Sequence, residues 1–200
     1  MHQYSVKNHP REKVIFCLAA ISIFFAPLLS NLLKNNILKN LNITSSISIS
    51  AFSVFGLTYF AFNKYIWRWV GKYINYPNLN GQYNVKGTSL KNPTGKEIEW
   101  KGTVNIKQNW DKIIITLQTN NSSSKSLSVI SGIRHVPTDG YQLSYHYENS
   151  PDVSKKELKN HEGFCMLDFE ENLNKATGHY FNNIKDRASY GKMVLERIDN

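Results

Sequence analysis

Twenty consecutive residues, "VIFCLAAISIFFAPLLSNLL" from Val14 to Leu33, carry no charge. At about 1.5 Å per residue, a helix of that length covers about 30 Å, the hydrocarbon thickness of a bilayer. The run therefore predicts a membrane span. Pro27 is compatible with one, because a helix in lipid tolerates proline where neighbours or local adjustment satisfy the freed carbonyl. A basic leader before an apolar core is also the pattern of a cleaved signal peptide. Against that alternative, the run is long, no A-x-A-like site follows it, and a second uncharged segment comes soon after.

That segment, "ITSSISISAFSVFGLTYFAF" from Ile43 to Phe62, predicts a second span, with an amphipathic or half-buried helix as the alternative. Its small hydroxyl residues, among them Ser53 and Thr58, suit helix–helix contact in lipid. Tyr65, Trp67, Trp69 and Tyr73 follow among Lys64, Arg68 and Lys72, a mixture that marks a membrane–water interface. Lys7, Arg11 and Lys13 precede the first span, whereas only Lys34 and Lys39 lie between the two. This asymmetry predicts that both termini face the cytoplasm. Residues 1–75 are thus expected to form a two-helix anchor, with residues 76–200 as a cytosolic domain.

The net charge of +9 is concentrated in the anchor, where eight lysines and arginines face Glu12 alone; residues 76–200 carry sixteen against fourteen acidic residues. A nucleic-acid reading wants a basic face on the folded domain and finds little support. From Asn80 onward, apolar residues alternate with polar ones and turn signals recur at short intervals. Ile98, Trp100, Val104 and Ile106 share one face; so do Ile113, Ile115 and Leu117, then Leu127, Val129 and Ile133, then Tyr141, Leu143, Tyr145 and Tyr147. Cys165, Leu167 and Phe169 follow, then Met193 and Leu195. Eight strands are expected, at about 80–87, 97–108, 111–119, 125–135, 140–149, 162–170, 174–183 and 188–198. Short connections predict an all-β, compact, antiparallel up-and-down barrel, with a β-sandwich as the alternative. An eight-stranded barrel is filled by side chains or holds one small ligand.

Cys17 and Cys165 give neither a disulfide framework nor a metal-ligand spacing, and the six histidines are scattered. No metal or cofactor is expected, and no enzyme motif is present to place a nucleophile beside a base. The features closest to a binding function are polar. Thr119, Ser124 and Ser126 belong to a hydroxyl-dense stretch between two strands, and Tyr145 and Tyr147 to a tyrosine ladder that ends at Asn149. Hydroxyls, amides and tyrosines offer hydrogen bonds to phosphate oxygens and faces for base stacking. Arg134 adds a candidate phosphate fork, Tyr180 sits in "TGHYFNN", and Trp110 occupies an N-W-D corner where it either stacks on a flat ligand or plugs the end of the barrel. The bland alternatives are a solvated turn, a core stripe and a surface ion pair.

Taken in order, two spans, "YPNLNGQY", "GTVNIKQNWDKIIITLQTNNSSSKS", "LSYHYENSP", "HEGFCMLDF", "ATGHYFNN" and "ASYGKMVLER" resemble one family. It is the two-transmembrane, β-strand-rich effector associated with CD-NTase enzymes in bacterial cyclic-oligonucleotide-based anti-phage signalling. The resemblance covers about residues 12–198. It implies a cyclic dinucleotide or related cyclic oligonucleotide, made by a partner CD-NTase, as ligand of the cytosolic barrel. It further implies homo-oligomerisation through the spans, disruption of the bacterial inner membrane, abortive infection, and no bond broken by this chain. On this reading Thr119, Ser124 and Ser126 hydrogen-bond the phosphate–ribose ring while tyrosines stack. The competing expectations are a membrane-anchored, lipocalin-like carrier of a small apolar ligand, and a structural partner that binds another protein.

Overall fold

A computed structural model describes residues 1–38, 49–91, 95–120, 125–150, 161–182 and 189–198. The chain divides into a helical unit, residues 9–70, and a strand unit that combines residues 1–8 with 71–200.

In the helical unit, α1 (Arg11–Leu32) and α2 (Ala51–Ala61) pack against each other. The Ser22 and Thr58 hydroxyls meet at 3.1 Å, and the Ile49 N–H donates to Ser30 Oγ at 3.0 Å, so the two helices run antiparallel. Among the described residues one helix, Arg11–Asn35, is long and apolar enough to cross a membrane. In the segment expected as a second span, helix begins later than the sequence predicts. Residues 43–48 lie outside the described residues, and helix starts only at Ala51, because Ser50 is extended and caps the Ser53 N–H at 3.1 Å. Helical structure then continues through a π-helical stretch, Phe62–Ile66, into α3 (Trp67–Val70). Phe16, Ile23, Phe24, Phe52, Leu57 and Phe60 are all exposed. So much apolar surface suits lipid as the surrounding solvent.

The strand unit contains nine strands among the described residues, not eight. They are β1 (His2–Val6), β2 (Gly81–Lys91), β3 (Ile98–Gln108), β4 (Lys112–Thr119), β5 (Lys125–Val136), β6 (Gly140–Ser150), β7 (His161–Phe169), β8 (Lys175–Asn182) and β9 (Ser189–Arg197). Successive strands pair antiparallel from β2 to β9, β9 returns to β2, and the order closes into a barrel. The seam differs from an up-and-down sheet. β4 and β5 pair directly only from Thr116–Gln118 to Lys125–Leu127. Below that the wall parts, and β1 fills the gap, antiparallel to β4 at His2↔Ile113 and parallel to β5 from Tyr4↔Ser131 to Val6↔Ile133. At the point of parting, Ser128 Oγ lies 2.8 Å from His2 Nε2 and accepts the Ile115 N–H at 2.9 Å.

Alternation places Tyr83, Val85, Val104, Ile106, Ile113, Ile115, Leu143, Leu167, Phe169 and Leu195 inside. It fails on β5. A bulge between Ser128 and Ile130 shifts the phase, so Leu127 (37% exposed) and Val129 (44%) point outward while Ile133 stays buried. Ile98, at the first residue of β3, is also largely exposed.

One end of the barrel is sealed. Trp110 stacks on Tyr76 with ring centroids 4.3 Å apart, and the Tyr76 hydroxyl lies 2.6 Å from the Trp110 carbonyl and 2.5 Å from the Tyr4 hydroxyl. Gln108, 3% exposed, accepts the Leu79 N–H at 2.8 Å and donates to Tyr4 at 2.8 Å. A buried amide satisfied in this way holds β1, the stretch from Tyr76 to Leu79 before β2, and the β3–β4 turn together.

Candidate functional site

The other half of the barrel is hollow. A cavity of about 240 Å³ opens at the end where β2–β3, β4–β5, β6–β7 and β8–β9 are connected. Thr119, Ser126, Tyr145, Tyr147, Asn149 and Tyr180 line it. The inward alternation of β4, β5, β6 and β8 brings these six expected residues to one cavity. Ser124 lies outside the described residues. Two expected residues lie elsewhere: Trp110 seals the opposite end, and Arg134, the outward residue between Ile133 and His135, donates to Gln142 Oε1 at 3.0 Å on the outer surface. Trp110 thus takes the second of its two expected roles, and Arg134 forks no phosphate inside the barrel.

Sequence reasoning missed Ser89, Trp100, Asn182 and Ser189, which also line the cavity. Ser89 Oγ lies 2.6 Å from the Tyr180 hydroxyl, which accepts the Trp100 indole N–H at 3.2 Å. The two rings meet edge to face at 5.9 Å. Each ring rests on a glycine of the paired strand, Trp100 over Gly87 and Tyr180 over Gly191. A Cβ on either glycine would collide with the ring, so the missing side chains let both aromatics lie against the wall. Ser189 donates to Asn182 Oδ1 at 2.5 Å, and Ser126 donates to Asn149 Oδ1 at 3.3 Å. The signal that points to this set is polar residues at inward positions of strands that are otherwise apolar inside.

The described lining holds no formal charge, only hydroxyls, amides, aromatics and a floor of Ile115, Leu117, Cys165 and Met193. Burial pushes the Cys165 thiol up to about 12, against a hydrogen bond from Tyr145 that pulls it down. Burial likewise raises Tyr145 and Tyr147. These groups stay neutral at physiological pH. Linkage gives a testable sign. The unfolded thiol ionises near 9.0 and the folded one near 12, so this contribution is intact below pH 9 and is lost as pH rises through that window. Urea midpoints are expected to fall from pH 9 to pH 12, with a shallower fall in Cys165→Ala. Equal slopes in the two proteins would show that the thiol does not carry the dependence.

Comparison with known proteins agrees with this geometry. Residues 74–197 match the family described as Cap15, cyclic dinucleotide receptor domain, and residues 12–68 match Cap15, TM helices. CD-NTase-associated protein 15 of Yersinia aleksiciae is 37% identical over 190 residues, which is 91% of this chain and 86% of the relative. A helical region with lipid-compatible surfaces, followed by a hollow strand domain across which the resemblance runs, makes the chain a member of the Cap15 family of CD-NTase-associated membrane proteins.

Proposed function

We propose that the cavity binds a cyclic dinucleotide made by a CD-NTase, and that binding drives copies of the chain to assemble and breach the bacterial inner membrane. The observation that carries this reading is the cavity wall of neutral donors and stacking faces inside a domain of the cyclic dinucleotide receptor family. Thr119, Ser126, Asn149 and Asn182 are assigned to the phosphate–ribose ring, and Trp100, Tyr147 and Tyr180 to the bases. Such a wall favours a polar, flat-faced ligand over the apolar cargo of a lipocalin-like carrier, whose cavity would be dry and aliphatic. It also supports a receptor rather than a catalyst. General acid–base work wants a group that titrates near neutrality, and the cavity's ionisable groups include a thiol and two tyrosines pushed upward.

Topology supports two spans. β1 precedes α1, and β2 follows the helical unit, yet both belong to one barrel. A chain that leaves a folded domain and returns to it crosses the membrane an even number of times. The excess of basic residues at Lys7, Arg11, Lys13, Lys64, Arg68 and Lys72 favours the cytoplasm for the barrel and both termini.

The test is thermal unfolding of the full chain in a non-ionic detergent against a panel of cyclic di- and trinucleotides. The full chain is needed because β1 comes from residues 2–6. A ligand at one hundred times its dissociation constant stabilises by about 2.7 kcal/mol, a shift of several degrees. A shift with one nucleotide names the signal. A shift with fatty acids and none with any nucleotide would replace this reading with the carrier.

A further inference from the structure

The outer wall of the barrel carries two anomalies of pairing. Lys86 on β2 lies directly opposite Lys101 on β3, and Glu148 on β6 lies directly opposite Glu162 on β7. All four side chains are exposed. Cβ atoms of directly opposed residues in an antiparallel pair sit about 4.5–5.5 Å apart, and like charges there destabilise the sheet. Among the described registered pairs these are the two that match like formal charges. Elsewhere the barrel avoids this, as in Lys175 opposite Glu196.

Each pair anchors a patch of one sign. Lys192, two residues from Val194, which pairs with Lys86, extends the basic patch, with Glu99 at its border. His146 contacts Glu162 at 3.4 Å, and no lysine or arginine forms an ion pair with either glutamate among the described residues. An exposed aliphatic residue continues each row, Val194 beside Lys86 and Leu127 beside Glu148. Around the closed order of the eight long strands, the basic patch covers β9, β2 and β3 and the acidic one β5, β6 and β7, with β8 between them on one side and β4 on the other. The patches therefore lie on opposite flanks of one cylinder.

We propose that these flanks are the two halves of one interface, and that the basic β2–β3 flank of one copy docks on the acidic β6–β7 flank of the next. Charge complementarity commits the occupant to a second copy of this chain, since the patch each flank needs is presented by the other. Different surfaces on the two sides make the contact heterologous, so it builds head-to-tail rings or open rows rather than a closed pair. The local cost of each like-charge pair is relieved when the opposite patch arrives. Assembly by this route deepens the proposed function and rests on that reading only for its consequence in the membrane.

The interface also has an unusual mutational signature. Lys101→Glu places a glutamate opposite Lys86, and Glu162→Lys places a lysine opposite Glu148. Each change creates a favourable cross-strand pair while it cancels one flank. Sedimentation of the full chain in non-ionic detergent would be measured at about 0.01 M ionic strength, where the Debye length is about 30 Å, and at about 1 M, where it is about 3 Å. The wild-type chain is expected to associate at the lower strength and dissociate at the higher. Either single reversal is expected to raise the half-association concentration about tenfold or more, because the charge attraction of one flank is then cancelled. Melting of the unassociated variants stays equal to wild type or rises. Reversing both flanks in one chain, with Lys86→Glu, Lys101→Glu, Glu148→Lys and Glu162→Lys, restores association. Wild-type association that is unaffected by salt or by either single reversal would overturn the proposal, as would a monomeric wild type or a fourfold variant that fails to associate. Nucleotide-induced melting shifts, read on the same variants, report separately on the cavity.

Discussion

Trp110→Ala is expected to lower the unfolding free energy by about 3–5 kcal/mol, the range for truncating a large buried aromatic. The indole is 1% exposed and lies on the Tyr76 ring at 4.3 Å and 22°. Its removal leaves a void at the sealed end and strips Tyr76 of its packing surface. Tyr76 in turn shares hydrogen-bond distance with Tyr4, which accepts from Gln108, so the loss spreads to three buried polar groups. Trp110→Phe keeps part of the stack and should cost distinctly less. Far-UV circular dichroism in urea reads both variants without relying on the deleted fluorophore. Because Trp110 lies in the turn before β4, whereas Thr119 at the far end of that strand lines the cavity, nucleotide-induced stabilisation should survive the mutation. A loss below about 1 kcal/mol, the scale of surface substitutions and small repacking, would show that the end is not sealed by this side chain.

The second large effect concerns affinity. Tyr180→Ala should weaken cyclic dinucleotide binding by about 5- to 150-fold, the equivalent of the roughly 1–3 kcal/mol that one base–aromatic contact contributes. Tyr180 is the joint of the wall: its ring rests on Gly191, its hydroxyl meets Ser89 at 2.6 Å, and it accepts the Trp100 indole N–H at 3.2 Å. Alanine removes a stacking face and releases Trp100 from its orientation. Tyr180→Phe separates the two contributions, because it keeps the face and deletes the acceptor. Titration calorimetry should therefore rank wild type, Phe and Ala in order of falling affinity. If Ala bound within twofold of wild type, the bases would have to sit elsewhere in the barrel.

How far these features were readable in the sequence differs from strand to strand. On β4, β6, β7 and β9, and on β3 beyond the exposed Ile98, the alternation identified the inward-facing residues, because a strand packed on one face repeats every second residue. On β5 the same rule put Leu127 and Val129 inside. One extra residue at the bulge near Ser128 reverses every position before it, and a bulge has no composition that distinguishes it from an even run. Ser126, expected in the hydroxyl-dense stretch, faces the cavity, and Ser128 and Ser131, which the alternation did not single out, are buried with Ile133. Strand β1 was hidden more thoroughly. "HQYSV" is short and mixed in polarity, and only the parting of β4 from β5 provides it with partners.

What the sequence determined by itself is set by solvent and by local period. An uncharged run of twenty residues is long enough to cross a bilayer as a helix, and the two-residue repeat calls for strands with one buried face. Closure of the sheet decided the rest. Tyr180 is far in the chain from Ser89 and Trp100, and the three meet because β9 pairs with both β2 and β8 while β3 flanks β2. The same closure sends Lys86 and Lys101 to one flank and Glu148 and Glu162 to the other. Neighbours in sequence encode which face a residue takes, but only pairing between distant strands decides what that face looks at.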